Sequence, residues 1–169
     1  MGANLPWVIY GCDFGRNRWF PNGGLATNNK LPLADEAFRR LVRQGVRSVR
    51  WFTLCDGRAG VLYSDDGSPL GLDECFFRDL DAAVNLARHH GIALLLMLLD
   101  FCWLGRPAII NGVQTGGRRE IIRDPQKRQR LLDRVIAPIL ARYGEEPTIA
   151  AWDIMNEPEW VTLGIGTRD

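Results

Sequence analysis

The sequence predicts an α/β protein in which parallel strands are covered by outer helices. Three observations carry this. Apolar runs of strand length alternate with longer segments of helical periodicity, in the order strand, helix, strand, helix, strand, helix, strand. The run Ile92 to Leu99 is apolar on both faces, as suits a parallel strand with helices over it. The connections are also asymmetric. Those after strands are long and carry Trp, Arg, Asp and Asn, whereas Gly45 and Gly91 make up nearly the whole of two helix-to-strand connections. That asymmetry belongs to a (β/α)₈ barrel of TIM type, whose functional groups sit at the C-terminal strand ends. A dinucleotide-binding fold alternates too, but Gly11-Cys12-Asp13-Phe14-Gly15 runs into a long loop instead of opening a helix.

In chain order, Trp7 to Asp13 reads as a first strand entered after Pro6, followed by a Gly-, Asn- and Pro-rich loop over 15–29 with Arg16, Asn17, Trp19 and Phe20. Asp35 is placed to cap a helix through Gln44, with Phe38, Leu41 and Val42 inward, and Gly45 ends it. Val46 to Leu54 is the second strand, with Arg47 at its entrance and Arg50 inside or near its top. A loop over 56–72 leads to Asp73, which caps a helix reaching His90. Its apolar face is Phe76, Leu80, Ala83, Val84 and Ala87. His89 and His90 read as solvated residues of the last turn. After the third strand and a loop over 100–123, Asp124 and Pro125 open a third helix. Leu131, Leu132, Val135, Ile136, Ile139 and Leu140 are its expected buried face, and Pro138 should kink or interrupt it. Val49, Leu95 and Met97 are candidates for the inward face of the sheet.

The fourth strand is the informative one: Ile149-Ala150-Ala151-Trp152-Asp153-Ile154-Met155, running into Asn156-Glu157-Pro158-Glu159-Trp160. Its β-branched and aromatic content favours a buried strand. Pro158 biases Glu157 toward extended backbone, so Glu157 sits where strand becomes loop. A carboxylate there, beside an amide side chain and two indoles, suits sugar chemistry. The carboxyl can protonate a glycosidic oxygen, Asn156 can bond a hydroxyl, and an indole offers a flat apolar face. Trp19, Trp103 and Trp160 are the stacking candidates. Asp153 shares the strand parity of Glu157, and an inward acid there needs a partner; an ion pair from Arg50 to Asp153 or Asp13 is the structural alternative for that arginine.

Composition narrows the partners. The chain has 169 residues, 46% hydrophobic and 24% charged, with a formal net charge of +1. No nucleic-acid or membrane partner is implied by that balance. The longest apolar run falls short of the roughly 20 residues a spanning helix needs, and the first residues show no signal peptide. The four cysteines form no Cys-x-x-Cys pair. Cys12, Cys55 and Cys102 fall at or past strand ends and read as buried thiols lining the rim, with a zinc or redox site as the competing class. No metal or cofactor is expected.

Gly45-Val46-Arg47-Ser48-Val49-Arg50, Gly91 with the third strand, and Trp152-Asp153-Ile154-Met155-Asn156-Glu157-Pro158 together resemble the first half of a clan-A glycoside hydrolase of the family-five cellulase and mannanase group. The similarity runs over nearly all of residues 1–169. It implies a retaining hydrolase of β-linked polysaccharide such as mannan or glucan, with Glu157 as acid/base. It further implies that Asn156 binds the glycone 2-hydroxyl and that Arg50 supports the catalytic carboxylates. In that family the nucleophilic glutamate ends the seventh strand, and a barrel takes about 250 residues. The expected architecture is therefore a barrel truncated after its fourth strand, with no convincing fourth helix in Val161 to Asp169, and inactive alone. The competing expectation is a non-catalytic sugar-binding or structural half-barrel that self-associates through its open sheet edges.

Overall fold

A four-stranded parallel sheet is the centre of the computed structural model, which describes residues 1–27 and 29–162. Asn28 of the first long loop and residues 163–169, where no helix is expected, lie outside them. The chain begins with β1 (Gly2–Asn4), α1 (Leu31–Arg43), β2 (Ser48–Phe52), β3 (Val61–Tyr63), β4 (Pro69–Leu72) and α2 (Phe76–His90). There follow β5 (Ala93–Asp100), a 3₁₀ turn (Phe101–Leu104), β6 (Ala108–Ile110), β7 (Val113–Thr115), α3 (Glu120–Arg123) and α4 (Pro125–Leu131). A π turn (Leu132–Ile136), α5 (Ala137–Tyr143), β8 (Ile149–Asn156) and α6 (Glu159–Thr162) complete it. The sheet order is β1-β2-β5-β8, all parallel, so helices separate strands that are neighbours in space.

The first strand lies earlier than expected. β1 pairs Gly2 with Ser48 and Asn4 with Arg50. Trp7 to Asp13 is a turn beyond it, because the Asp13 carboxylate takes the amides of Val8 (2.7 Å) and Ile9 (2.8 Å) that a strand would give to a ladder. The third group on that carboxylate is Trp51 Nε1, at 2.9 Å. α1 likewise starts before Asp35, with Pro32 in its first turn, where a missing N–H costs nothing. Asp35 caps nothing; it pairs with Arg39 and with His90 Nε2, the latter at 2.7 Å. His90 is accordingly no solvated end residue, whereas His89 is exposed. The two loops after β2 and β5 are structured by the hairpins β3–β4 and β6–β7.

Several expectations hold. Asp124 Oδ1 accepts from Gln126 and Lys127 at the start of α4. Gly91 closes α2 in a left-handed conformation. Phe76, Leu80, Ala83, Val84 and Ala87 are all buried. Pro138 does disturb its helix: it lacks the N–H that Arg134 C=O would accept, and the π turn sits just before it. Leu131, Val135 and Ile139 then keep the buried face, while Leu132, expected inward, is 46% exposed.

The core lies between sheet and helices. Trp51 packs on Phe38 of α1 and on Phe14. Val49 has the same strand parity and is fully buried on that helix side, not on the inward face. Arg50 and Phe52 alternate to the other face. β8 differs from the buried strand its composition suggests: Ala150, Ala151 and Ile154 are exposed. It is the sheet's edge, and only the single turn of α6 follows it among the described residues.

Candidate active site

Because the sheet is parallel, the ends of β2, β5 and β8 deliver Phe52, Asp100 and Asn156 to one side, where the long loops also emerge. Four polar side chains are linked there. Arg50 reaches across β5 to β8. Its Nε and Nη2 donate to Asp153 Oδ2 at 3.2 and 2.5 Å, and Nη2 also donates to Asn156 Oδ1 at 3.0 Å. Asn156 Nδ2 in turn donates to Asp100 Oδ2 at 2.8 Å. Asp100 is buried, and its Oδ1 accepts the Cys102 amide at 2.9 Å. Asp153 is thus the partner of Arg50, and Asp13 is not; Asp13 serves the turn after β1.

Glu157 follows directly on β8. Its φ is +47°, in the left-handed region, against the extended backbone expected before Pro158. The chain reverses there into α6, with Trp160 N–H donating to Glu157 C=O and Val161 N–H to Pro158 C=O. Strain of this kind costs about 1–3 kcal/mol and concentrates at functional sites. The Glu157 side chain is exposed and accepts no hydrogen bond among the described residues, leaving it open to a ligand.

The three candidate stacking indoles part company. Trp160 is 72% exposed beside Phe101. Trp19 is half-buried, with Arg58 over its ring at 5.5 Å. Trp103 is fully buried, and its Nε1 donates to Leu54 C=O at 3.1 Å. It is a core residue with no face to offer a sugar, because the 3₁₀ turn after β5 folds it inward under the β3–β4 hairpin.

The rim also holds residues that strand-like composition concealed. Trp7 packs against Phe52 and Tyr10, and Tyr10 is 46% exposed. The Arg58 guanidinium covers Tyr10 at 4.3 Å and is clamped by two bonds to Asp56, at 2.8 and 2.6 Å. Partial burial, then the neighbouring Cys55, Asp56 and Cys102, push the Tyr10 hydroxyl up to about 12. Burial followed by Asp100 raises the Cys102 thiol to about 12 also, and burial raises Cys12 and Cys55. These thiols stay protonated at neutral pH, and no group of three metal-binding side chains occurs among the described residues.

Comparison with known proteins fits this arrangement. A mannan endo-1,4-β-mannosidase of Mytilus edulis is 28% identical over 158 residues, which is 94% of this chain and 39% of that protein. The blue-mussel β-mannanase structure matches with TM-score 0.76 at 25% identity, over 94% of this chain and 40% of that one. A second curated relative of this chain, from Cryptopygus antarcticus, is also a mannan endo-1,4-β-mannosidase, 21% identical over 94% of this chain and 37% of that protein. The β-1,4-mannanase of the sea hare Aplysia kurodai matches with TM-score 0.75, also at 25% identity, with 41% of its chain covered. The fold is therefore that of part of a mannanase barrel, and the chain spans about two-fifths of these relatives' length. No protein-family model matches it.

Proposed function

We propose that residues 1–169 form the N-terminal half of a retaining glycoside hydrolase barrel acting on β-mannan, and that this half supplies the acid/base. The observation that carries the reading is an exposed Glu157 carboxyl at the end of β8, with no hydrogen-bond partner among the described residues, next to an Asn whose amide is bonded on both sides. In this role Glu157 gives its proton to the leaving glycosidic oxygen, then takes a proton from the incoming water. Asn156 binds a hydroxyl of the sugar next to the reacting carbon. Arg50 keeps the positive charge that a nucleophilic carboxylate, about 5 Å from Glu157 in a retaining site, would face. Trp160 and Trp19 provide stacking faces. The nucleophile is not assigned to this chain; its rim carboxylates are engaged, Asp13 with three donors and Asp100 with Asn156 and Cys102.

A titration and an assay test this. Mannotriose added to the ¹⁵N-labelled chain should shift signals of Asn156, Glu157 and Trp160, and Asn156→Ala should remove the effect. Turnover of mannan or aryl mannosides by the chain alone should stay at background. Shifts confined to residues of α1 and α2, with Asn156 and Glu157 unmoved, would overturn the site. Turnover lost in Glu157→Gln would instead mean that a carboxylate of this chain serves as nucleophile. The second reading, a non-catalytic half-barrel that self-associates, is favoured by the exposed outer face of β8 and requires sugar binding without dependence on Glu157.

A further inference from the structure

An asparagine amide has two ends of nearly equal shape and opposite chemistry, so a site built on one must fix which way round it stands. At Asn156 both ends are engaged by partners that cannot exchange roles. Arg50 Nη2 has only hydrogens to offer, so it takes Oδ1. The Asp100 carboxylate has only lone pairs, so it takes Nδ2. We propose that Asp100 is a positioning residue: its carboxylate sets the orientation of the Asn156 amide, and thereby which atoms of that amide face a sugar. One Nδ2 hydrogen and one Oδ1 lone pair are left for the ligand, in a fixed order.

Asp100 is suited to this because it is itself immobilised. It is 4% exposed. Its N–H donates to Cys55 C=O at 3.1 Å, and its Oδ1 accepts the Cys102 N–H. Register adds to this: Asp100 and Asn156 are paired residues of adjacent parallel strands, so backbone and side chain hold the same spacing. Arg50 alone would not suffice. Its second and shorter bond is to Asp153, which draws the guanidinium toward the middle of β8. The proposal rests on Asn156 being a sugar-binding residue, and its test separates the two.

The ¹⁵N-labelled chain provides the readout. The Asn156 Nδ2 signals are identified by their loss in Asn156→Ala. In the parent chain the two hydrogens should give well-separated shifts and slow exchange with solvent. Asp100→Leu should speed that exchange at least about tenfold, the scale of one hydrogen bond to a charged group, and bring the two shifts together. Asp100→Asn keeps volume and an acceptor oxygen but loses the charge; it should give a smaller rise with backbone signals of β5 and β8 unmoved. Should the leucine variant unfold, the asparagine variant decides alone. Side-chain exchange at Asn156 equal to the parent's in the folded variants overturns the proposal. Loss of amide order in the variants, together with no response of parent Asn156 to mannotriose, leaves the positioning intact and refutes the sugar site instead.

Discussion

Arg50 and Asp153 are joined across an intervening strand. The guanidinium starts on β2, passes over β5 and places two donors on a single oxygen of β8. The side chains are 25% and 32% exposed, so the pair lies between surface and buried classes. Arg50→Leu should therefore cost about 1–2 kcal/mol, above an exposed pair and below a fully buried one. In a chain of this size that is roughly 2–8 °C in Tm. Adding Asp153→Asn should recover part of the loss, and urea unfolding of the four chains in the cycle measures the coupling.

Two of the sequence's three candidate stacking indoles should behave oppositely on truncation. Trp103→Ala removes a wholly buried ring together with its bond to Leu54, and should destabilise by about 3–5 kcal/mol. Trp160→Ala removes an exposed ring and should leave stability within about 0.5 kcal/mol. Of these two variants, only Trp160→Ala should weaken mannotriose binding. Denaturant midpoints and the sugar titration together check this.

The clasp between α1 and α2 should give the chain an acid-sensitive limb. The hydrogen bond from His90, followed by the Arg39 charge, holds the Asp35 carboxyl below its ordinary value. A lowered folded-state value means the stabilisation is present above the unfolded pKa of about 3.9 and disappears as pH falls through the folded one. Asp13 works the other way, since burial raises it and protonation there favours the native state. His90→Leu should flatten the fall in urea midpoint between about pH 5 and 2. An unchanged slope would place the acid limb in other carboxylates, such as Glu146 beside Thr148.

What the sequence made legible was the part set by periodicity and punctuation. Helix α2, the stops at Gly45 and Gly91, the Asp124 cap and the Asn156–Glu157 strand end all follow from local rules. What escaped was set by side chains acting at a distance. Trp7 to Tyr10 has strand composition, yet Asp13 takes its amides and turns it into a rim segment. Trp103 has the look of a loop aromatic, and only the tertiary fold shows it as core. Glu157 takes left-handed backbone because the chain must reverse at once, which overrides the preference Pro158 imposes. The Arg50–Asn156–Asp100 link joins residues 106 and 56 positions apart, and strand parity could suggest only its inward face.

β8 has β5 on one side and no strand on the other among the described residues, which leaves a row of backbone donors and acceptors unpaired. Ile154 is 61% exposed and Trp160 72%, so apolar surface lies beside that row. Covering two such side chains is worth about 3–6 kcal/mol at 1.5–3 kcal/mol each, against a typical domain stability of about 5–15 kcal/mol. The chain should therefore self-associate, with a sedimentation coefficient that climbs with concentration. Ile154→Lys sets a charge on the face, a device by which natural edge strands are kept apart. It should flatten the concentration dependence without lowering the melting temperature of the dilute chain. A parent chain that sediments as a monomer throughout, with no binding of hydrophobic dye, would mean that the edge and the Ile154 face are already covered within one molecule.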